Sequence, residues 1–277
     1  MRRVFSTQLF DRSRLTTALL DRMARVGVRE IELHCSLPHL NYRQRSQVEE
    51  LGHWFRDSEM RVTALHTPVY YDDSENVHAL VSIANPNKAE RIRATDEIKR
   101  ALEVADVIPC EFVLQHVGGE GEEYEEGRAD AAFNALEELN VFAGQLGAEL
   151  LIENGANDLS SAARLNLLLR MTHLKNGYCF NVGAAHRGDG VVPEFKAMQE
   201  RIRMVHLSDN DGVSDLRRAP LIESGGSIDW AEVVHALGSL PADTPWGMDL
   251  TEDPEREKPV VLAADSFSRL EELLAND

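Results

Sequence analysis

Along this chain, short apolar runs rich in β-branched and aromatic residues alternate with longer stretches of helical periodicity, and the alternation repeats eight times. That pattern specifies βα units, because neighbouring parallel strands must be joined by crossovers, and the crossover is usually a helix. The expected strands are 3–7, 30–34, 61–66, 111–116, 149–153, 178–181, 204–207 and 247–250. Between the first two, LTTALLDRMARVG puts Leu15, Leu19, Leu20 and Met23 on one helical face and supplies Gly27 as a stop. AAFNALEELNVFAGQLG repeats the logic, with a stripe of Phe133, Leu136, Leu139, Phe142 and Leu146 that Gly147 terminates. FSRLEELLA reads as a short amphipathic helix able to close the ring. No Pro/Gly/Ser-rich linker interrupts the series, and the GxGxxG fingerprint of dinucleotide-binding sheets is absent. The expectation is an α/β chain folded as a single (β/α)8 TIM barrel over residues 1–277, a length whose 43% apolar content suits a core of that size.

A net charge of −18 argues against a nucleic-acid partner, since affinity for phosphate backbones comes largely from Lys and Arg. No stretch approaches the roughly 18 uninterrupted apolar residues of a membrane span. The opening MRRVFSTQLFDRSRL is broken by polar residues where a secretion signal would be apolar, so the expected location is cytoplasmic. Cys35, Cys110 and Cys179 are widely spaced and each lies in or beside an apolar run, as reduced core thiols do.

In such a barrel a polar residue at the C-terminal end of a strand points into the mouth, where active sites form. Here the strand ends carry Glu32 and His34, His66, His116, Glu153, Asn181, His206 and Asp249. Imidazoles and carboxylates converging on one point suit a divalent metal such as Mn, Mg, Co or Zn. An ion there would polarise a sugar hydroxyl or carbonyl while paired carboxylates move a proton from carbon. Two connections, 67–87 and 208–227, are long enough to overhang a pocket. Arg217 and Arg218 in the second could hold a substrate carboxylate or phosphate, or simply neutralise Asp211, Asp215 and Glu223. The acidic loop EGEEYEEGRAD reads as a solvated segment with Tyr124 as a candidate lid residue, and Trp54, Trp230 and Trp246 read as packing residues.

The runs GVREIELHC, VTALHTPV, EFVLQHVGG, ELLIENGAND, HLSDND and GGSIDW, in this order, resemble the xylose-isomerase-like superfamily of sugar (phosphate) isomerases and epimerases. That superfamily also includes endonuclease IV, hydroxypyruvate isomerase, inosose dehydratase and ketose 3-epimerases. The resemblance covers nearly the whole chain. It implies Glu153, Asn181, His206 and Asp249 as metal ligands and Glu153 with Asp249 as the catalytic acid/base pair. It departs from the family at two ligands: Asn181 stands where a DxGH run has Asp, and Asp249 is one methylene shorter than the usual Glu. Ala184 replaces the histidine of that run, with His186 two residues on. His66, His116, His186 and Arg217 are the candidates for holding substrate. A trinuclear zinc centre of the endonuclease kind is not expected, because Arg217 and Ala184 occupy positions of its histidines. The expected activity is metal-assisted isomerisation or epimerisation of a small sugar, sugar phosphate, sugar acid or cyclitol. Alternatives are a lyase (dehydratase) of the same superfamily or a metal-free sugar-binding barrel that performs no catalysis. The resemblance is also compatible with a homodimer.

Overall fold

Eight strands form where the periodicity places them, in a computed structural model that describes residues 1–72 and 79–276. They are β1 (Arg2–Ser6), β2 (Glu30–His34), β3 (Arg61–His66), β4 (Phe112–His116), β5 (Glu149–Glu153), β6 (Gly177–Asn181), β7 (Ile202–Leu207) and β8 (Pro245–Met248). Between and after them come α1 (Thr17–Arg25), α2 (Arg45–Asp57), α3 (Lys88–Leu102), α4 (Glu126–Gln145), α5 (Ala162–Met171), α6 (Val182–Arg187), α7 (Val191–Met198), α8 (Trp230–Leu237) and α9 (Pro259–Ala275). Each strand pairs in parallel with the next, and β8 returns to β1 through Arg2↔Pro245 and Val4↔Gly247, so the sheet is a closed barrel. The final strand runs two residues earlier than expected because Trp246 is taken up by both neighbours, opposite Arg3 on β1 and Val205 on β7. Asp249 therefore sits just past β8, yet its N–H still donates to the Leu207 carbonyl at 3.1 Å.

Local signals fix the helix ends. Thr16 caps α1 by accepting from the Leu19 N–H, and Gly27 beyond it takes the left-handed φ of +92°. Gly147 does the same after α4 at φ +80°. Leu136 and Leu139 are buried, while Phe133, Phe142 and Leu146 lie half-buried along the same stripe. The connection between β6 and β7 carries two short helices, α6 and α7. In the long connection after β3, Asn87 caps α3, and residues 73–78 lie outside the described residues.

Because strand side chains alternate, the barrel interior is built in three layers. At the bottom Glu30 is bonded to Arg2 (2.7 Å), Arg61 (2.5 Å) and the Thr63 hydroxyl (2.7 Å), and Arg2 also reaches Glu111. In the middle Val4, Ala64, Leu114, Leu151, Cys179 and Met204 form an apolar plug. At the top are the polar strand ends. Cys35 and Cys179 are buried and all three cysteines are free thiols. Trp246 packs in the outer core, Trp230 is buried, and Trp54 donates its ring N–H to Asp21 at 2.8 Å. No helix among the described residues is long and apolar enough to cross a membrane.

The bottom layer has a pH signature. Burial alone would raise Glu30, but Arg61, Thr63 and Arg2 hold its carboxyl below the ordinary 4.5. A carboxyl lowered on folding stabilises the fold above its unfolded value, and that contribution is lost as pH falls through the folded one. Glu30→Gln is expected to cost about 1–3 kcal/mol near neutral pH, the range for breaking a partly buried pair. In urea titrations at several pH values, the gap between the variant and the parent should close as pH drops below 4.5.

Candidate active site

Alternation along the strands sends Glu32, His66, His116, Glu153, Asn181 and His206 into one opening, joined by Asp249 from the end of β8. A glycine in β8 makes room for the ring at its centre. A Cβ on Gly247 would stand 3.0 Å from both His206 Cδ2 and Met204 Cε.

His206 is clamped between two buried carboxylates. Its Nε2 lies 2.7 Å from Glu32 Oε2, and its Nδ1 lies 2.9 Å from Glu153 Oε1. With an acceptor at each nitrogen, both ring nitrogens donate, and the group is an imidazolium. Burial opposes the charge, but the carboxylates of Glu32 and Glu153 keep His206 well above its ordinary value. In return, His206 holds Glu32 and Glu153 below the usual carboxylate range despite their burial. Ser6 Oγ donates to the other oxygen of Glu32 at 2.9 Å, and Asn181 Nδ2 donates to Glu153 Oε1 at 2.7 Å. Asn181 spends its oxygen on the Ala184 N–H (2.8 Å), capping α6.

The second oxygen of Glu153 is different. Oε2 is buried without a hydrogen-bond donor, facing His66 Nε2 at 3.3 Å and His116 Nε2 at 3.5 Å. Those two nitrogens stand 3.2 Å apart. His66 points its Nδ1 at the Thr67 carbonyl (2.8 Å), which places a proton there and turns Nε2 toward Glu153; burial opposes charge on the ring, but the Glu153 carboxylate raises its pKa, so an ion bound at Nε2 would displace any proton held there. Burial pushes His116 down to about 4, so this ring is neutral and has a lone pair to offer.

Asp249 meets a guanidinium. Arg217, from the loop after β7, donates from one Nη to Asp249 Oδ2 at 2.9 Å and to Gln8 Oε1 at 3.0 Å, and from Nε to Asp215 Oδ2 at 3.0 Å. Asp249 Oδ1 is buried with no partner. Burial pushes the Asp249 carboxyl up, although Arg217 and His206 pull against it.

The other expected residues lie elsewhere. His186, half-buried after the first turn of α6, bonds Ser227 Oγ at 2.8 Å rather than any of these groups. Arg218 pairs its backbone with Asp209. Tyr124 lies beneath the Arg164 guanidinium, on the outer wall between α4 and α5. His34, by contrast, borders the mouth: its ring lies 5.4 Å from that of His66 at a tilt of 45°, its Nδ1 is unbonded, and burial keeps it neutral. Two contributors carried no advance signal. Gln8 enters only because the turn after β1 brings it to Arg217. Asn154 fixes the end of β6 by exchanging bonds with the backbone of Asn181 at 2.6 and 3.1 Å, and it adjoins Glu153 in sequence, the one hint available.

These donors fit a divalent ion in one place and not in another. Around His206 little is offered to an ion: both ring nitrogens are donors, Asn181 turns its NH2 inward, and Asp249 has one oxygen held by Arg217 and only Oδ1 open. Cys179 lies within reach of Glu153 and His206, but burial pushes its thiol up to about 12, leaving it protonated and a poor ligand. His66, His116 and Glu153 do fit. Donors bound at 2.0–2.2 Å to a tetrahedral ion stand roughly 3.4 Å apart, and two His with one Glu is a recurrent catalytic ligand set that leaves a fourth position open.

Fold and mouth together define a (β/α)8 barrel with a buried, histidine- and carboxylate-lined centre at the C-terminal ends of its strands. The chain belongs to the xylose isomerase-like TIM barrel family, whose profile matches residues 20–272. No curated protein matches the sequence significantly. Among solved structures, a D-tagatose 3-epimerase-like protein superposes with a TM-score of 0.80 at 21% identity, over 100% of this chain and 99% of that one. The IOLI protein with a bound zinc atom gives 0.78 at 15% identity, over 100% and 99%. An L-ribulose 3-epimerase gives 0.77 at 15%, over 99% and 95%. Likeness at these identities establishes the shared fold.

The clamp on His206 sets an expectation for stability. Glu32→Gln leaves the buried imidazolium with one charged partner removed, a class of change that costs about 3–5 kcal/mol. Chemical denaturation at neutral pH should show a loss of that order. A change below 1 kcal/mol, well under that range, would mean that His206 is neutral and the clamp uncharged.

Proposed function

We propose that this barrel is a metal-assisted isomerase or epimerase of a small sugar or sugar derivative, working by proton transfer at the carbon beside a carbonyl. The observation that supports it most is a pair of buried carboxylate oxygens, Glu153 Oε2 and Asp249 Oδ1, left without hydrogen-bond donors while the other oxygens of Glu32, Glu153 and Asp249 are all bonded. Buried acceptors left open cost free energy, and such sites recur where a ligand supplies the missing partner. The names of the structural neighbours point the same way, since they include an L-ribulose 3-epimerase and a D-psicose 3-epimerase crystallised with D-fructose.

In this reading His66, His116 and Glu153 hold the ion, which supplies polarisation of a substrate carbonyl or hydroxyl when bound. Asp249 is the base. Its Oδ2 is fixed by Arg217, and its free Oδ1 takes the proton from carbon. Its raised pKa brings it closer to the basicity such a step needs. The resemblance implies Glu153 as the second acid/base, but its Oε1 accepts from His206 and Asn181, its Oε2 would hold the ion, and its carboxyl stays well below the usual range, so in this reading it remains an ionised ligand and the proton that Asp249 takes is the one it gives back to the substrate. The His206 imidazolium keeps both carboxylates in place, 2.9 Å from Glu153 and 3.8 Å from Asp249.

A second reading, a metal-free barrel that binds sugar without turnover, draws on the mutual bonding of Glu153 with His206 and of Asp249 with Arg217. Deuterium exchange separates the two. Incubation with D-tagatose, D-fructose and L-ribulose in D2O with Mn2+ should place deuterium at the carbon beside the carbonyl and yield an epimer or isomer, read by NMR. Asp249→Asn should slow the exchange by about 10²–10⁴-fold, the usual contribution of a positioned base. Sugar binding by calorimetry with no exchange would favour the non-catalytic reading, and loss of water from the sugar would favour a lyase.

A further inference from the structure

Four corners surround the upper mouth, contributed by β5, β6, β7 and the end of β8, and the family pattern would fill them with metal ligands. Here three of the four are turned away from that task by contacts on the chain itself. His206 spends both nitrogens on carboxylates, Asn181 faces the centre with its NH2, and Asp249 holds a guanidinium at 2.9 Å. A positive charge already stands against one oxygen of the fourth corner.

The guanidinium is held there firmly. Arg217 adopts φ +42°, a left-handed conformation costly for a residue with a side chain and kept only where surroundings enforce it. The enforcement is visible. Arg218 next to it exchanges both backbone bonds with Asp209, at 2.8 and 2.9 Å. Arg256 donates to the Arg217 carbonyl at 3.2 Å while its own head is locked on Glu223 by two 3.0 Å bonds. The result carries Arg217 across the rim to Gln8 on the opposite side of the β8–β1 seam. A merely solvated arginine would need none of this.

We propose that Arg217 is a built-in cation that bars a divalent ion from the Glu153–Asn181–His206–Asp249 corner set, confining any bound ion to His66, His116 and Glu153 and reserving Asp249 for substrate. The charge inventory agrees: Asn181 removes one negative charge from that set and Arg217 adds one positive charge, so the attraction for an ion falls twice over. The proposal deepens the reading of this mouth as a catalytic centre, but its test needs no turnover.

The test is titration of chelator-stripped protein with Mn2+, followed by calorimetry and by the Mn2+ electron paramagnetic resonance signal. Arg217→Gln should bind Mn2+ at least about tenfold more tightly than the parent or take up an additional equivalent, as expected when a unit positive charge near the ion is removed. That gain should vanish in the double variant Arg217→Gln with Asp249→Asn. Arg217→Lys, which keeps the charge, should bind like the parent, and its thermal unfolding checks that the loop substitution leaves the fold intact. Parent-like affinity in Arg217→Gln would overturn the proposal. So would loss of parent binding in Asp249→Asn together with its survival in His116→Ala, because the ion would then already sit on Asp249. A parent that binds no Mn2+ would count against the metal-assisted mechanism alone, and the gain in Arg217→Gln would still decide the role of Arg217.

Discussion

His206 gives one ring nitrogen to Glu32 and the other to Glu153, and the remaining polar groups of the mouth arrange themselves around that clamp. Two carboxylates could not share so small a buried volume unless a positive group stood between them, because unpaired charges in low dielectric are prohibitively costly. The imidazolium meets this requirement, and the absence of a side chain at Gly247 on β8 leaves its ring uncrowded. Having used one oxygen on His206 and Asn181, Glu153 is left with a single oxygen to direct elsewhere, and the two histidines of β3 and β4 are what it faces. The position of the candidate metal donors thus follows from a hydrogen-bonding choice made on the far side of the same carboxylate.

Much of this was legible in the sequence. The eight strands were readable because parallel barrel strands are buried on both faces and appear as short continuous apolar runs, and the helices were readable from their stripes and terminal glycines. The column of strand-end residues followed from the fold itself, since β alternation leaves little freedom about where Glu32, Glu153 or His206 can point. What could not be read was pairing. Whether His206 offers a lone pair or a proton depends on which carboxylates lie beside its two nitrogens, and Glu32 is remote from it along the chain. Arg217 was visible as a cation in an acidic loop, with solvation and ligand binding as the two readings. Its contact with Asp249 depends on a left-handed residue in a non-glycine position, and propensity gives no sign of that. Sequence resemblance likewise assigned a ligand role to Asn181, whereas the structure uses its oxygen as a helix cap.

Division of labour between scaffold and loop is clear in this molecule. The plug of Val4, Ala64, Leu114, Leu151, Cys179 and Met204 and the charged layer of Arg2, Glu30, Arg61 and Glu111 set the barrel's shape, and of these residues Cys179 lies within reach of Glu153 and His206 in the mouth. Arg217, by contrast, is placed by Asp209, Glu223 and Arg256, residues of the connections that flank α8 and precede α9. Its guanidinium could change or be lost without disturbing the strands.

The apolar plug has a further consequence. It seals the barrel from below, so the mouth is a blind well and not a tunnel. Anything that enters the mouth leaves on the side from which it came, and a departing molecule excludes an arriving one for as long as it stays. In the proposed epimerisation, substrate and product differ only in the configuration at one carbon, so the two would compete for that opening on nearly equal terms and net flux would follow their relative concentrations outside it.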